Sequence, residues 1–220
     1  MPRGLFVTGT DTAVGKTAVA AALLHRYRHA APLRYWKPIQ TGIEQDDDTR
    51  DVARLAQAGP EEIRAEGVRL SRPLSPYVSA RLSGCRIEVG PLVQSLGGCD
   101  PAVRWIVEGA GGVLVPINER ETMADLMTGL GMPALVTART ALGTINHTLL
   151  TLEALRRRSI EIAGVVLVGP AEPHTREVIE ELGAVPIVGE MPRFDSLTFD
   201  ALAAWAPGGL DPAGRLLEHL

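Results

Sequence analysis

The sequence predicts an α/β fold in three layers, a mostly parallel sheet flanked by helices, and two observations carry that prediction. Short apolar runs recur at residues 5–8, 34–37, 103–107, 134–137, 165–168 and 186–188, each followed by a helical or polar segment. These runs lack the strict apolar–polar alternation of a half-exposed strand, as strands covered by helices on both faces do. Strands that alternate with helices build a parallel sheet between helical layers. The composition agrees, with 45% hydrophobic and 22% charged residues, which is ordinary for a globular chain. The 220 residues suffice for one sizeable core, so residues 1–220 are expected to form a single domain.

The formal net charge of -4 argues against a nucleic-acid or acidic-membrane surface as partner. No apolar run approaches the roughly 20 residues that a spanning helix needs. The start, "MPRGLFVTG", runs into a Gly-containing stretch without a signal-peptide core, and a cytoplasmic location is expected. Cys85 and Cys99 match no metal spacing and are expected to be reduced, partly buried thiols. The stretch 69–98, rich in Ser, Gly and Pro, is expected to be an irregular lobe, and the tail "DPAGRLLEHL" a short closing helix.

The first strand leads into "GTDTAVGKT". From Gly9 to the Gly15-Lys16-Thr17 triplet there are five intervening residues, where the common phosphate-binding loop has four. Backbone N–H groups in such a turn, with the N-terminus of the helix from Thr17 toward Tyr27, make an anion site. Lys16 adds a point charge for the β/γ-phosphates, and the Thr17 hydroxyl suits Mg²⁺. The second strand ends in "WKPIQTG". Pro38 fixes an extended backbone after Lys37, aiming its ammonium, and Thr41-Gly42 adds a small hydroxyl and a flexible turn. A second fixed ammonium facing the loop suits a reaction in which negative charge accumulates. The acidic run "QDDDTRDVARL" reads mainly as a solvated helix cap, with at most one carboxylate reaching a metal.

The third strand is followed by Glu108 and a Gly-rich turn, a common place for a metal-holding acid; Gly109, Gly111 and Gly112 allow close backbone approach. After the fourth strand, "ARTALGTINHTLLTLEALRRR" opens a helix at Gly143 or Thr144. Its Ile145, Leu149, Leu152 and Leu155 form one apolar stripe, and Arg156, Arg157 and Arg158 suit its C-terminal end. Its N-terminus, with hydroxyls at Thr140 and Thr144, could receive a substrate carboxylate.

In this order, "FVTGTDTAVGKT", "KPIQTG", "LSPYVSA", "EGAGGVLVPI", "TMADLM", "LGTINHTLLTLEAL" and "GEMP" resemble the dethiobiotin synthetase family over about nine-tenths of the chain. The resemblance implies a three-layer P-loop NTPase-like fold and explains the five-residue loop spacing, which is how this family writes it. It implies a cyclo-ligase that uses ATP, or another nucleoside triphosphate, and Mg²⁺ to convert 7,8-diaminopelargonate and CO2 or bicarbonate into a cyclic urea, through a carbamate and its phosphoric anhydride. By the same resemblance Lys16 and Lys37 are catalytic. Thr12, Ala13, Val14, Gly15, Lys16, Thr17, Ala18, Glu108, Gly109, Gly111, Val168 and Gly169 contact the nucleotide. Thr12, Lys37 and Thr41 meet the carbamate end of the substrate. Leu142, Gly143, Thr144, Ile145 and Asn146 receive its carboxylate, in the family from a neighbouring subunit, so a homodimer is implied. Thr17, Asp51 and Glu108 are the implied Mg²⁺ ligands, with Asp48 open as the alternative to Asp51. The chain departs from the family at Val168-Gly169-Pro170, where an asparagine usually reads adenine; valine has no donor or acceptor, so relaxed base selectivity is expected.

Three other readings start from the same loop. A cobyrinate-amidating ligase normally needs an ammonia-producing domain, for which 220 residues leave no room. A partitioning or septum-positioning ATPase typically has a second lysine early in the loop, where Thr10, Asp11 and Thr12 stand here. A nucleotide-binding module without chemistry would differ from the ligase in showing no substrate-dependent ADP release.

Overall fold

The computed structural model describes residues 2–220. β1 (Arg3–Gly9) is buried from Gly4 onward and leads through the Gly-containing loop into α1 (Lys16–Tyr27). Residues 18–24 of α1, all Ala, Val or Leu, are buried, so this helix lies inside the molecule rather than along its surface. Then come β2 (Leu33–Trp36), β3 (Ile39–Thr41) and α2 (Asp48–Ala56). Asp47 caps α2 by accepting the Arg50 N–H at 3.1 Å. β4 (Ile63–Arg64) and β5 (Val68–Leu70) follow. The stretch expected to be irregular holds two short helices, α3 (Pro76–Leu82) and α4 (Val89–Gln94), anchored by buried Ala80, Val89 and Leu92. The rest of the chain gives β6 (Arg104–Gly112), α5 (Met123–Leu130), β7 (Ala134–Arg139), α6 (Thr144–Arg156), β8 (Ile162–Val168), α7 (Pro173–Gly183), β9 (Ile187–Met191) and α8 (Phe199–Gly209). The tail winds as a 3₁₀ turn, Arg215–His219, rather than an α-helix.

The main sheet has seven strands in the order β4-β2-β6-β1-β7-β8-β9, paired in parallel throughout, and β3 and β5 form a small parallel pair beside it. Alternate residues of the central strands feed two cores. Phe6, Trp105, Val107 and Val136 pack under α4, α5, α6 and α7; Leu5, Val7, Ile106 and Leu135 pack under α1, α2 and α8. Both faces of these strands are therefore apolar, which is why the sequence runs show no alternation. Each fully buried Leu, Ile or Phe contributes about 1.5–3 kcal/mol by leaving water.

Three sequence expectations need correction. β6 is longer than residues 103–107, so Glu108 lies within the strand, opposite Val7, and not after it. The partner of Gly9 is Gly112, so β6 carries two extra residues as a bulge, and Gly111 turns through φ +68°, a backbone that glycine adopts without strain. Lys37 stands one residue beyond β2. Cys85 and Cys99 are both free, but only Cys99 is half-buried; Cys85 is exposed.

Candidate active site

The site lies at the carboxyl ends of β1, β2 and β6, where loops lead into helix N-termini. In the first loop Ala13 and Gly15 are both left-handed, with φ 55° and 99°. These turns aim the chain into α1, where the Val19 N–H returns to Gly15 O at 3.0 Å. The amides of Lys16, Thr17 and Ala18 stand in the opening turn, where a helix has no internal acceptors, and so face an incoming anion. A Cβ on Gly9 would meet Val14 Cγ2 at 2.7 Å and Asp11 O at 2.9 Å, so the loop closes only with glycine there. The Lys16 ammonium folds over the loop to donate to Asp11 O at 2.9 Å. Burial and the nearby Lys37 charge push it down to about 8.

Lys37 is 3% exposed, and its Nζ donates to Asp48 Oδ2 at 2.6 Å, Glu108 Oε1 at 2.8 Å and Gly109 O at 2.9 Å. Burial alone would lower its pKa, but Glu108 and Asp48 outweigh burial and raise it, keeping the ammonium charged. Thr17 Oγ1 donates toward the same two acids, at 2.7 Å to Asp48 Oδ1 and 3.0 Å to Glu108 Oε1. Burial raises the Asp48 pKa less than Lys37 and Thr17 lower it, so its carboxyl stays below the usual range. Burial pushes Glu108 up, against the pull of Lys37. Its other oxygen, Oε2, accepts from the Tyr35 hydroxyl at 2.8 Å. Burial, then Glu108, holds that phenol well above its usual pKa, so it remains a donor.

The structure thus brings together Lys16, Thr17, Lys37, Glu108 and Asp48. It does not bring Asp51, the ligand first expected: that carboxylate is exposed and paired one turn along α2 with Arg54 at 2.8 Å. The donor set of Thr17 hydroxyl and two carboxylates is all oxygen, which fits Mg²⁺, an ion that takes one or two protein carboxylates and completes its shell with phosphate and water.

Three clefts open around the phosphate loop. One of about 420 Å³ is lined by Thr12, Thr41, Gly42, Pro73, Ser75 and Gly111, so both threonines expected at the substrate meet there. A second, of about 360 Å³, runs past Ala13, Val14, Gly15, Val168, Gly169 and Arg193 on the far side of the phosphate loop. The third, about 540 Å³, lies between the loop at Thr10, Asp11 and Thr12 and the face of α6 at His147, Leu150 and Thr151. At the start of α6, Leu142 and Asn146 are exposed and Gly143 is left-handed, whereas Thr144 is buried and Ile145 packs against the core. The hydroxyl of Thr144, expected to face a ligand, is buried without a hydrogen-bond partner.

Sequence reasoning missed Tyr35, Gln40 and Arg193. Gln40 is 3% exposed and ties the 41–46 loop to α2: it donates to Thr41 O and Asp46 O and accepts the Asp48 N–H. A signal for Tyr35 was present, since it stands two residues before Lys37, the spacing that puts side chains on one face of an extended chain.

Comparison with known proteins gives the family. The AAA domain family model matches residues 3–201. The ATP-dependent dethiobiotin synthetase BioD of Brucella ovis is 46% identical over 198 residues, which are 90% of this chain and 90% of that one. The biotin biosynthesis bifunctional protein BioCD of Bordetella avium is 43% identical over 206 residues, 93% of this chain; this chain spans 43% of that longer protein. Among solved structures, the MinC:MinD cell division protein complex of Aquifex aeolicus superposes with a TM-score of 0.61 at 12% identity, covering 99% of this chain and 96% of that one, a likeness of fold. The chain belongs to the family of the ATP-dependent dethiobiotin synthetases.

Proposed function

We propose that this chain is an ATP-dependent dethiobiotin synthetase that closes a cyclic urea from 7,8-diaminopelargonate and CO2. The observation that carries the reading is the buried ammonium of Lys37, held by the two acids that also meet the Thr17 hydroxyl of the phosphate loop, the loop whose Thr12 lines a cleft with Thr41. A metal-dependent hydrolase would have no evident need of a second fixed ammonium there; a ligase that gathers a carbamate and a γ-phosphoryl group has one.

In this reading one substrate amine adds to CO2 and loses a proton, giving a carbamate. Lys37 and the hydroxyls of Thr12 and Thr41 orient it. A carbamate oxygen attacks the γ-phosphorus and ADP leaves; the second amine then attacks the carbonyl carbon, expels phosphate and loses a proton, closing the ring. Lys16 and the amides of residues 15–18 bind the phosphates, and Lys37 stabilises the charge that gathers between carbamate and phosphoryl group. Such a transfer is chiefly positioning and charge stabilisation. Thr17, Glu108 and Asp48 would hold Mg²⁺, which when bound neutralises phosphate charge. Gly109, Gly111, Val168 and Gly169 complete the nucleotide side, where Val168 offers no hydrogen bond to a base and Arg193 only donors.

Residues 142–146 would take the substrate carboxylate of a partner copy in a homodimer. Supporting this, Leu142, Leu150 and Leu114 stand exposed on the α6 side of the molecule. We read residues 1–220 as one ligase domain working in the cytoplasm. The direct test is ADP release with and without diamine and bicarbonate. Release that needs both supports the ligase; equal release without the diamine contradicts it.

A further inference from the structure

Tyr35 is fully buried in β2, in the strand next to β6, and its hydroxyl reaches Glu108. The two carboxylate oxygens of Glu108 divide their work. Oε1 accepts from Lys37 Nζ and Thr17 Oγ1, toward the phosphate loop; among the described residues Oε2 accepts from Tyr35 alone, toward the sheet. With Oε2 pinned, the carboxylate cannot turn to offer both oxygens to Lys37. Without the hydroxyl, Oε2 would be a buried acceptor lacking a donor, and rotation or water entry would move Oε1.

We infer that Tyr35 is a positioning residue of this site: it orients Glu108 so that one oxygen faces the metal position and the Lys37 ammonium. The inference rests on the proposed reading of Thr17, Asp48 and Glu108 as metal ligands. It makes the Tyr35 hydroxyl a determinant of divalent-cation affinity and of Lys37 placement, not merely a satisfied core phenol. The protein itself supplies the contrast. Tyr27 is a second buried tyrosine bonded to a buried carboxylate, Asp211, whose oxygens also accept the N–H groups of Arg215 and Leu216; that pair ties the C-terminal turn to α1, away from the loop.

The test compares Tyr35→Phe, Tyr27→Phe and Glu108→Gln in the full chain. Binding of Mn²⁺ in the presence of ADP is read from the electron paramagnetic resonance of the free ion, with melting temperature recorded beside it. Phenylalanine keeps the ring in the core, and Tyr35→Phe is expected to weaken Mn²⁺ binding by about 10–100-fold, the usual effect of removing a partner that orients a ligand. Tyr27→Phe should lower the melting temperature and leave Mn²⁺ binding at the wild-type value. In the double variant Tyr35→Phe/Glu108→Gln the losses should not add, because the hydroxyl acts through that carboxylate. If Glu108→Gln weakens Mn²⁺ binding while Tyr35→Phe does not, or if the two losses add, the inference is overturned and the metal reading stands. If Glu108→Gln leaves Mn²⁺ binding unchanged, the metal reading falls and the inference with it.

Discussion

Replacing Lys37 by glutamine removes the ammonium that directly contacts both acids. Its Nζ lies 2.6 Å from Asp48 and 2.8 Å from Glu108, with side-chain exposures of 3% for Lys37, 17% for Asp48 and 1% for Glu108. At an effective dielectric of about 20, each contact is a gross attraction of about 6 kcal/mol. Desolvation and repulsion between the acids oppose most of that, and deleting one member of a buried pair costs about 3–5 kcal/mol. In a chain of this length each kcal/mol moves the melting temperature by about 2–4 °C, so Lys37→Gln should melt roughly 6–20 °C lower. Diamine-dependent turnover should fall by roughly 100-fold or more, on the scale of losing one fixed electrostatic stabiliser. The two effects separate. Adding Glu108→Gln to Lys37→Gln removes the surplus negative charge and should recover part of the stability without recovering turnover. Calorimetry and initial-rate measurements on the purified variants decide it; a Lys37→Gln protein with near-normal turnover, and a melting temperature unmoved, would refute the assignment.

Asp48→Asn should weaken metal-dependent turnover about 10-fold or more, whereas Asp51→Asn, which loses only an exposed pair with Arg54, should stay within about 0.5 kcal/mol of wild type in stability and keep its Mg²⁺ dependence; the reverse pattern would restore Asp51 as the ligand. With Val168 in place of a carboxamide, kcat/KM values for ATP, CTP and GTP should lie within about 10-fold of one another, since the side chain at that position has no donor or acceptor for a base edge. A strong ATP preference would show that backbone groups or Arg193 do the reading. Leu150→Asp puts a charge on the exposed face of α6 and should shift sedimentation from dimer to monomer, while an unchanged sedimentation coefficient would place any interface elsewhere.

The phosphate loop was legible because its groups are neighbours in sequence: the left-handed glycine, the lysine and the threonine follow one another into α1. The three-layer sheet was legible from apolar runs that face a core on each side. What joins Lys37 to Glu108 is not local. They lie 71 residues apart and meet only because β2 pairs with β6, a strand order that apolar runs alone do not give. Asp48 and Asp51 are three residues apart on one helix, so periodicity cannot choose between them; the approach of α2 chooses, putting its first residue at the site and leaving the next turn to Arg54. The bulge that lodges Glu108 inside β6 has no signature beyond its glycines. In residues 69–98, α3 and α4 are too short to be stable alone and draw their order from packing of Ala80 and Leu92, contacts that Ser, Gly and Pro content conceals.

The central claim is that the nucleotide's phosphoryl group is spent on a carbamate of the diamine. Mass spectrometry of the reaction of purified protein with MgATP, ¹³C-bicarbonate and 7,8-diaminopelargonate tests it most directly. The account predicts a cyclic urea carrying one ¹³C, formed in step with ADP and absent when the diamine is withheld. ADP formed at the same rate without the diamine, and no labelled cyclic product, would contradict it and point to a nucleotide-driven switch on the same fold.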